Sequence, residues 1–512
     1  MSGLRTDEAL RGGRIAMDAP GSQIAAMGSR ILATNGKLLF FLFLLTLPLA
    51  NPWVRGDGVG YYAYIRSALI DHDLRFENDY LQANESFLLS KVDAQGKLLP
   101  ALYTKTGYVE NHFTVGPAIL WAPAMLLVHG AVVIASRFGS HVAPDGYSRP
   151  YLLAMALTTA CYGFLSLLLA FQIARKYFDE RWALLATIGI WMASSLPIYM
   201  YFNPSWSHAH SAFAVALFLW YWERTRGTRS IGQWAILGLL AGLMGNVYYP
   251  NAILLIFPAL EVVRMLLADR RAAKAGAAVT PIQNVALGCG AFLAAFVVSL
   301  LPTFITRQII YGNPFETGYP PIWTWHWTSP VFLKVLFSSD HGMFSWTPIL
   351  LLAVAGLPFL IKRDRLLGEG ALLVFLAYYY FIASYPDWDG LSSFGNRFFV
   401  SLTPIFILGL TALLSSFSSW FVKPARAFAI ACPVIGLLIA WNVGLIFQWG
   451  THMIPARGPI SWSSMVRQQV YGTPLHITHS LETYFTRRSE MMQHIEQEDI
   501  EQQQLGQKPG EQ

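Results

Sequence analysis

The chain has 512 residues, of which 54% are hydrophobic and 13% charged, with a formal net charge of +6. Soluble domains carry roughly a quarter charged residues, so a soluble enzyme is excluded. The Lys and Arg excess sits beside apolar runs, where the positive-inside bias accounts for it, and nucleic-acid binding is excluded as a role.

Residues 1–36 carry Arg5, Arg11, Arg14 and Arg30 and no apolar core, which reads as a cytoplasmic tail and not a signal peptide. Apolar segments suited to a bilayer follow at 37–50, 150–174, 182–202, 208–222, 231–247, 251–263, 285–306, 346–361, 371–384, 398–414 and 427–447. Positive charge recurs on alternate connections: Arg175, Lys176 and Arg181; Arg224, Arg226 and Arg229; Arg264, Arg270, Arg271 and Lys274; Lys362, Arg363 and Arg365; Lys423 and Arg426. Those connections are expected in the cytoplasm, and the intervening ones, rich in aromatics, Pro, Asn and His, outside. The expected fold is therefore an all-α polytopic membrane protein of about 11 (11–13) transmembrane helices.

The segment 115–135 is apolar enough to cross, but crossing would invert every later loop, so it is read as lying in the outer interface. Pro117, Pro123 and Gly130 would break it into short or re-entrant pieces. The rival count, in which it crosses, must break the charge rule elsewhere. Residues 37–448 then form the membrane domain, with 53–149 as a long first outward loop containing interfacial helices. Residues 449–512 form a polar tail, partly disordered or loosely helical because its last stretch is rich in Gln and Glu. Cys161, Cys289 and Cys432 lie in apolar stretches without a CxxC or a neighbouring His and read as packing residues.

The first outward loop opens with Arg55-Gly56-Asp57-Gly58, and Tyr61, Ile65, Ala68 and Leu69 at helical spacing predict an amphipathic helix on the outer interface just after it. An Asp between two glycines is ordinarily a cap or turn residue. The functional reading is a carboxylate held at the membrane surface by a flexible backbone, able to act as a general base. Other outward loops carry His208 and His210; Glu316, Tyr319 and Trp325; Asp340 and His341; and Asp389 followed by Ser393-Phe394-Gly395-Asn396-Arg397. An outward Arg against the general charge bias suits an anionic head group.

The order of these features resembles the bacterial branch of the GT-C glycosyltransferases, the polyprenyl-phosphate-sugar-dependent membrane enzymes related to protein O-mannosyltransferases and lipid A aminoarabinose transferases. The resemblance covers roughly 37–448. It rests on Gly56-Asp57 through Tyr61, Tyr62 and Tyr64, Val115-Gly116-Pro117 through Leu120-Trp121-Ala122-Pro123, Ala174-Arg175-Lys176-Tyr177-Phe178 before Trp182-Ala183-Leu184-Leu185, and Ser393 to Arg397 through Pro404. It implies a GT-C-like bundle in the bacterial cytoplasmic membrane, and transfer of a sugar from a polyprenyl-phosphate donor to a hydroxyl of a glycan, lipid or protein at the outer face, with inversion. Asp57 would be the base; Arg397, His341 and Lys105 would bind the donor phosphate; Tyr61, His112, Glu316, Tyr319, Trp325 and Asp389 would contact substrate. The protein mannosyltransferases carry Asp-Glu at the first-loop position where this chain has Asp57-Gly58, so no metal ligand set is assigned and a divalent cation stays open. The competing reading is a transporter or flippase for a lipid-linked saccharide. The central parts of the apolar segments lack ionisable residues, which weighs against an ion-coupled carrier.

Overall fold

The computed structural model describes residues 34–274 and 282–506. Most of the expected N-terminal tail, residues 1–33, lies outside them. No strand forms among the described residues, and each of the eleven apolar segments falls in helical structure. The helices that build the molecule are α1 (Thr34–Thr46), α2 (Asp57–Arg66), α3 (Gly116–Arg137), α4 (Arg149–Tyr177), α5 (Glu180–Met192), α6 (His208–Thr225), α7 (Ile231–Val247) and α8 (Ile256–Lys274). They continue as α9 (Ile282–Tyr311), α10 (Ile349–Arg363), α11 (Arg365–Ser384), α12 (Thr403–Ser418), α13 (Pro424–Gly450), α14 (Thr473–Thr486) and α15 (Arg488–Gly506). Among the described residues seven helical stretches are long and apolar enough to cross a membrane, and the chain is a multi-pass membrane protein.

α12 is the central helix, nearly all of it buried. It packs against α10 where Gly356 faces Gly409; a Cβ on either would run into the other helix's backbone, so only glycine allows this approach. Small residues substitute for a hydrophobic drive between helices in lipid, because close backbone approach maximises dispersion contact.

The basic clusters of alternate connections meet at one end of the bundle. Lys176 reaches Glu223 at 2.6 Å, Arg226 reaches Asp364 at 3.0 Å, Arg229 is buried on Glu261 at 3.1 Å, and Arg264 pairs with Glu369. Arg363 donates to the Tyr177 carbonyl at 2.7 Å, and Trp182 packs on Phe428 next to Arg426. Charge that the bilayer would reject is thereby gathered and neutralised on one face.

Residues 116–137 correct one expectation. They form a single 22-residue helix, α3, and not a broken or re-entrant pair. Pro117 stands in the first turn, where its missing N–H costs nothing, and Pro123 is accommodated within the helix. α3 lies along the N-terminal part of α4: Trp121 Nε1 donates to Thr159 Oγ1 at 2.9 Å, and His129 meets the Tyr151 hydroxyl at 2.8 Å. α6 lies along the remainder of α4, from the Tyr162–Phe213 ring contact to the Lys176–Glu223 pair. α3 and α6 therefore follow one another along α4 instead of running side by side. At a rise of about 1.5 Å per residue, α4 is longer than a hydrocarbon core of about 30 Å.

The tail is helical through Gly506 and docked, because its polar residues satisfy groups in the turn after α1 and in the first loop. Tyr484 donates to the Leu49 carbonyl at 2.6 Å, Arg488 to the carbonyls of Ala50 at 2.7 Å and Pro48 at 3.0 Å, and Glu496 accepts from Ser86 N at 2.6 Å. A composition too polar to fold alone is thus ordered by partners, among them carbonyls of the 3-10 turn that follows α1.

Single-cysteine variants at Phe315 and Arg224, in a background with the three native cysteines replaced by Ala, should label with an impermeant maleimide from opposite sides of sealed vesicles. Labelling of both from one side would overturn this arrangement.

Candidate functional site

At the end of the bundle opposite the basic clusters lies a cavity of about 1250 Å³. Its polar part is lined by Arg55, Asp57, Lys91, Glu110, His112 and Arg397, and its apolar part by side chains of α1, α5, α13 and α14.

Asp57 is the first residue of α2. It makes no capping bond; the N-cap is Gly56, whose φ of 54° an L side chain rarely adopts. Gly58 is fixed for another reason, since a Cβ there would overlap the Ser205 side chain. The two glycines therefore shape the backbone closely around Asp57, where a flexible loop was expected. α2 differs from expectation too: it is buried from Gly58 to Arg66, not resting on an interface. Asn111 Nδ2 donates to the Gly60 carbonyl at 2.9 Å, and Trp206 Nε1 donates to the Arg55 carbonyl at 3.0 Å.

Asp57 Oδ2 accepts from Arg397 Nη1 at 2.7 Å. Arg397 opens the 3-10 turn Arg397–Leu402 that leads into α12, and its guanidinium lies over the Trp206 ring at 4.5 Å. Its Nε finds no acceptor among the described residues, so the group retains donor capacity beyond Asp57. Removed from water, such a pair is tolerable only when both charges are matched, and Trp206 excludes solvent from one face of the cation.

Around this pair, Tyr61 is buried and its hydroxyl accepts from Ser207 at 2.9 Å. His112 lines the cavity and meets Tyr319 edge-on at 4.9 Å. The segment carrying His112 is clamped by Arg307 at the end of α9, which donates to the carbonyls of His112 at 2.9 Å and Phe113 at 2.7 Å. Burial pushes the His112 imidazole down to about 4, with Asp57 opposing and the nearby Arg307, Lys91 and Arg397 adding to the shift. Burial also lowers Lys91, against the pull of Glu110 and Asp57, and raises Glu110, against Lys91.

Five expected site residues lie elsewhere. Lys105 is exposed beside Gly312 and does not line the cavity, whereas Lys91 does. His341 is fully buried behind the cavity, with Nδ1 3.1 Å from the Asp389 carbonyl. Its partner Asp389 accepts from Leu391 N at 3.2 Å, so the two shape the Gly390 turn against Arg397 and do not face the cavity. Glu316 is exposed and accepts from its own turn, from Thr317 N at 3.1 Å and Gly318 N at 3.2 Å. Trp325 stacks on Trp327 at 5.7 Å and packs on Tyr385 and Phe381, an aromatic group outside the cavity lining.

Asp57 faces Arg397 and belongs to no group of three or more metal-type ligands among the described residues. Asp340, His341 and Asp389 have ligand-type atoms within 4.8 Å of one another and form the one group among the described residues that could hold a metal ion. It stands behind the Gly390 turn.

His112 should stay neutral to pH 5.5 in ¹⁵N-histidine NMR. Its folded value lies below the unfolded one near 6.5, so the stabilisation it gives is complete above pH ~6.5 and is lost as pH falls towards 4. His112→Gln should flatten the fall in unfolding temperature between pH 6.5 and 5; an unchanged slope would count against this assignment.

No protein-family model and no curated protein sequence matches the chain. Among solved structures it is similar to the Archaeoglobus fulgidus oligosaccharyltransferase in its apo form, at 15% identity and TM-score 0.46, over 86% of this chain and 56% of that one. It is similar to the Archaeoglobus fulgidus enzyme AglB in complex with an inhibitory peptide and a dolichol-phosphate, at 14% identity and TM-score 0.46, over 86% and 55%. It is also similar to ArnT from Cupriavidus metallidurans in the apo state, at 14% identity and TM-score 0.42, over 90% and 78%. The chain thus spans little more than half the length of the two archaeal structures.

Proposed function

We propose that the protein transfers a sugar from a polyprenyl-phosphate donor to a hydroxyl acceptor at the outer face of a bacterial cytoplasmic membrane. The observation that carries this reading is the Asp57–Arg397 pair, at 2.7 Å, in a cavity that is polar at one end and apolar at the other. An amphiphile with a sugar phosphate head and a hydrocarbon chain has the same division. The residues of the sequence resemblance around Asp57 and Arg397 meet here, which supports the same reaction class.

In the reaction, an acceptor oxygen attacks the anomeric carbon while its proton passes to the Asp57 carboxylate. The bond from that carbon to the phosphate oxygen breaks, and the lipid phosphate leaves with the electron pair. Arg397 is the group suited to the departing charge, since it has an unused Nε donor and sits in a dry, aromatic setting where a charge-assisted bond is strong. Donor phosphate competing for the guanidinium also releases Asp57 from its ion pair, so the base becomes free when a leaving group is present. Attack from the face opposite the phosphate inverts the anomeric centre. His112, neutral, and Tyr61 contribute hydrogen bonding and shape near the sugar without adding charge.

Asp57→Asn should lower turnover with a polyprenyl-phosphate sugar about 10²–10⁴-fold while membrane insertion is retained, with a lower unfolding temperature because Arg397 loses its partner. Turnover within tenfold of wild type would remove Asp57 from the base role. Exchange of lipid-linked saccharide between leaflets, without glycosidic transfer, would instead assign the cavity to a flippase.

A further inference from the structure

The C-terminal segment contributes more to the cavity than the docking contacts require. α14 turns Ile477, Leu481 and Tyr484 to the apolar part, opposite α5 and α13, while Leu475 on its other side is exposed. α15 turns Ile495, Asp499 and Gln502 to the polar part. The apolar groove and the polar end are one continuous space, and the tail forms a wall of both.

At the junction stands Arg55. Its guanidinium lies over the Trp53 ring at 4.5 Å, and its Nη2 donates to Asp499. Asp499 is itself steered by His452, whose Nε2 lies 3.4 Å from Oδ1, and His452 Nδ1 is 2.7 Å from Glu498. A long, flexible side chain two residues from Asp57 is thus fixed by a carboxylate from the far end of the chain, and an Arg restrained this way loses less entropy when it takes up an anion.

We propose that the C-terminal hairpin is a working wall of the substrate cavity, in which Asp499 is a positioning residue that sets Arg55 as a second cation for the lipid phosphate while Ile477 and Leu481 close the groove around its isoprenoid chain. The occupant is the lipid phosphate because the groove leads without interruption to Arg55 and Arg397, whose charge complements a phosphate. This rests on the reading of the cavity as a lipid-phosphate site, and it assigns to the tail a role that Asp57 and Arg397 do not define.

The test uses the full-length protein in detergent and a sugar-free isoprenoid monophosphate, with binding followed by intrinsic Trp fluorescence. Asp499→Ala and Leu481→Glu should each weaken binding about tenfold or more, Asp499→Glu should restore most of it, and Gln493→Ala, on the exposed side of α15, should bind as wild type. With sugar donor, Asp499→Ala should raise KM by a similar factor and change kcat less than about threefold. Lengthening the isoprenoid from two units to eleven should tighten binding to wild type more than to Leu481→Glu. Wild-type affinity in both tail variants, with unfolding temperatures unchanged, would overturn the inference while leaving the transferase reading intact. Weakened binding in the variants without glycosyl transfer by wild type would sustain this inference and sink the transferase reading. Should Asp499→Ala unfold, Arg55→Gln tests the same contact from the other side, and wild-type affinity there overturns it.

Discussion

The cavity end of the molecule is organised by one requirement: the buried guanidinium of Arg397 is held against Asp57, a carboxylate that faces the cavity. A guanidinium alone in such a place would be costly, so Arg397 needs Asp57, and the pair needs elements far apart in sequence to arrive together. α2 must enter at a defined angle, which Gly56 provides through its positive φ and Gly58 through its contact with Ser205. The turn before α12 must deliver Arg397 over Trp206, which in turn holds the Arg55 carbonyl. The same tryptophan thus ties both ends of the ion pair to the N-terminal side of α6.

The opposite end of the bundle meets a related requirement by different means. There the ionic contacts are several and distributed, and they join α4, α6, α8, α10 and α11 without enclosing a large cavity. Charge at that end fixes helix positions; charge at the cavity end is concentrated on a few groups facing an open space. Between the two, α12 packs against α10 through glycines and supplies a rigid support for Arg397 at its outer end. A site held on such a helix keeps its geometry better than one held on loops alone.

Around the ion pair, burial decides which groups carry charge. His112 is held neutral by burial and by the cations about it, whereas Lys91 and Glu110 shift in opposite directions and moderate each other. The tail adds a further layer through Arg55, whose orientation depends on a carboxylate supplied by α15. The cavity surface is in this way assembled from the first loop, the entry to α12 and the helices α14 and α15.

The sequence by itself determined the membrane class, the helical fold and the end of the bundle at which the basic connections gather, and it singled out Asp57 and Arg397 as candidates. These follow from local rules: apolar length, the asymmetry of Lys and Arg, and an acidic or basic residue at the outer end of an apolar segment. Only the tertiary structure decided that Asp57 and Arg397 touch, that α2 is buried, that α3 is unbroken, and that Lys91 and not Lys105 lines the cavity. Lys91, Glu110 and Arg307 sit in no motif, and their relevance arises from distances between segments remote in the chain. The docking of the tail was hidden for the same reason: a Gln- and Glu-rich helix has no apolar core of its own, and its partners are carbonyls of the turn after α1 and groups of the first loop that no local pattern reveals.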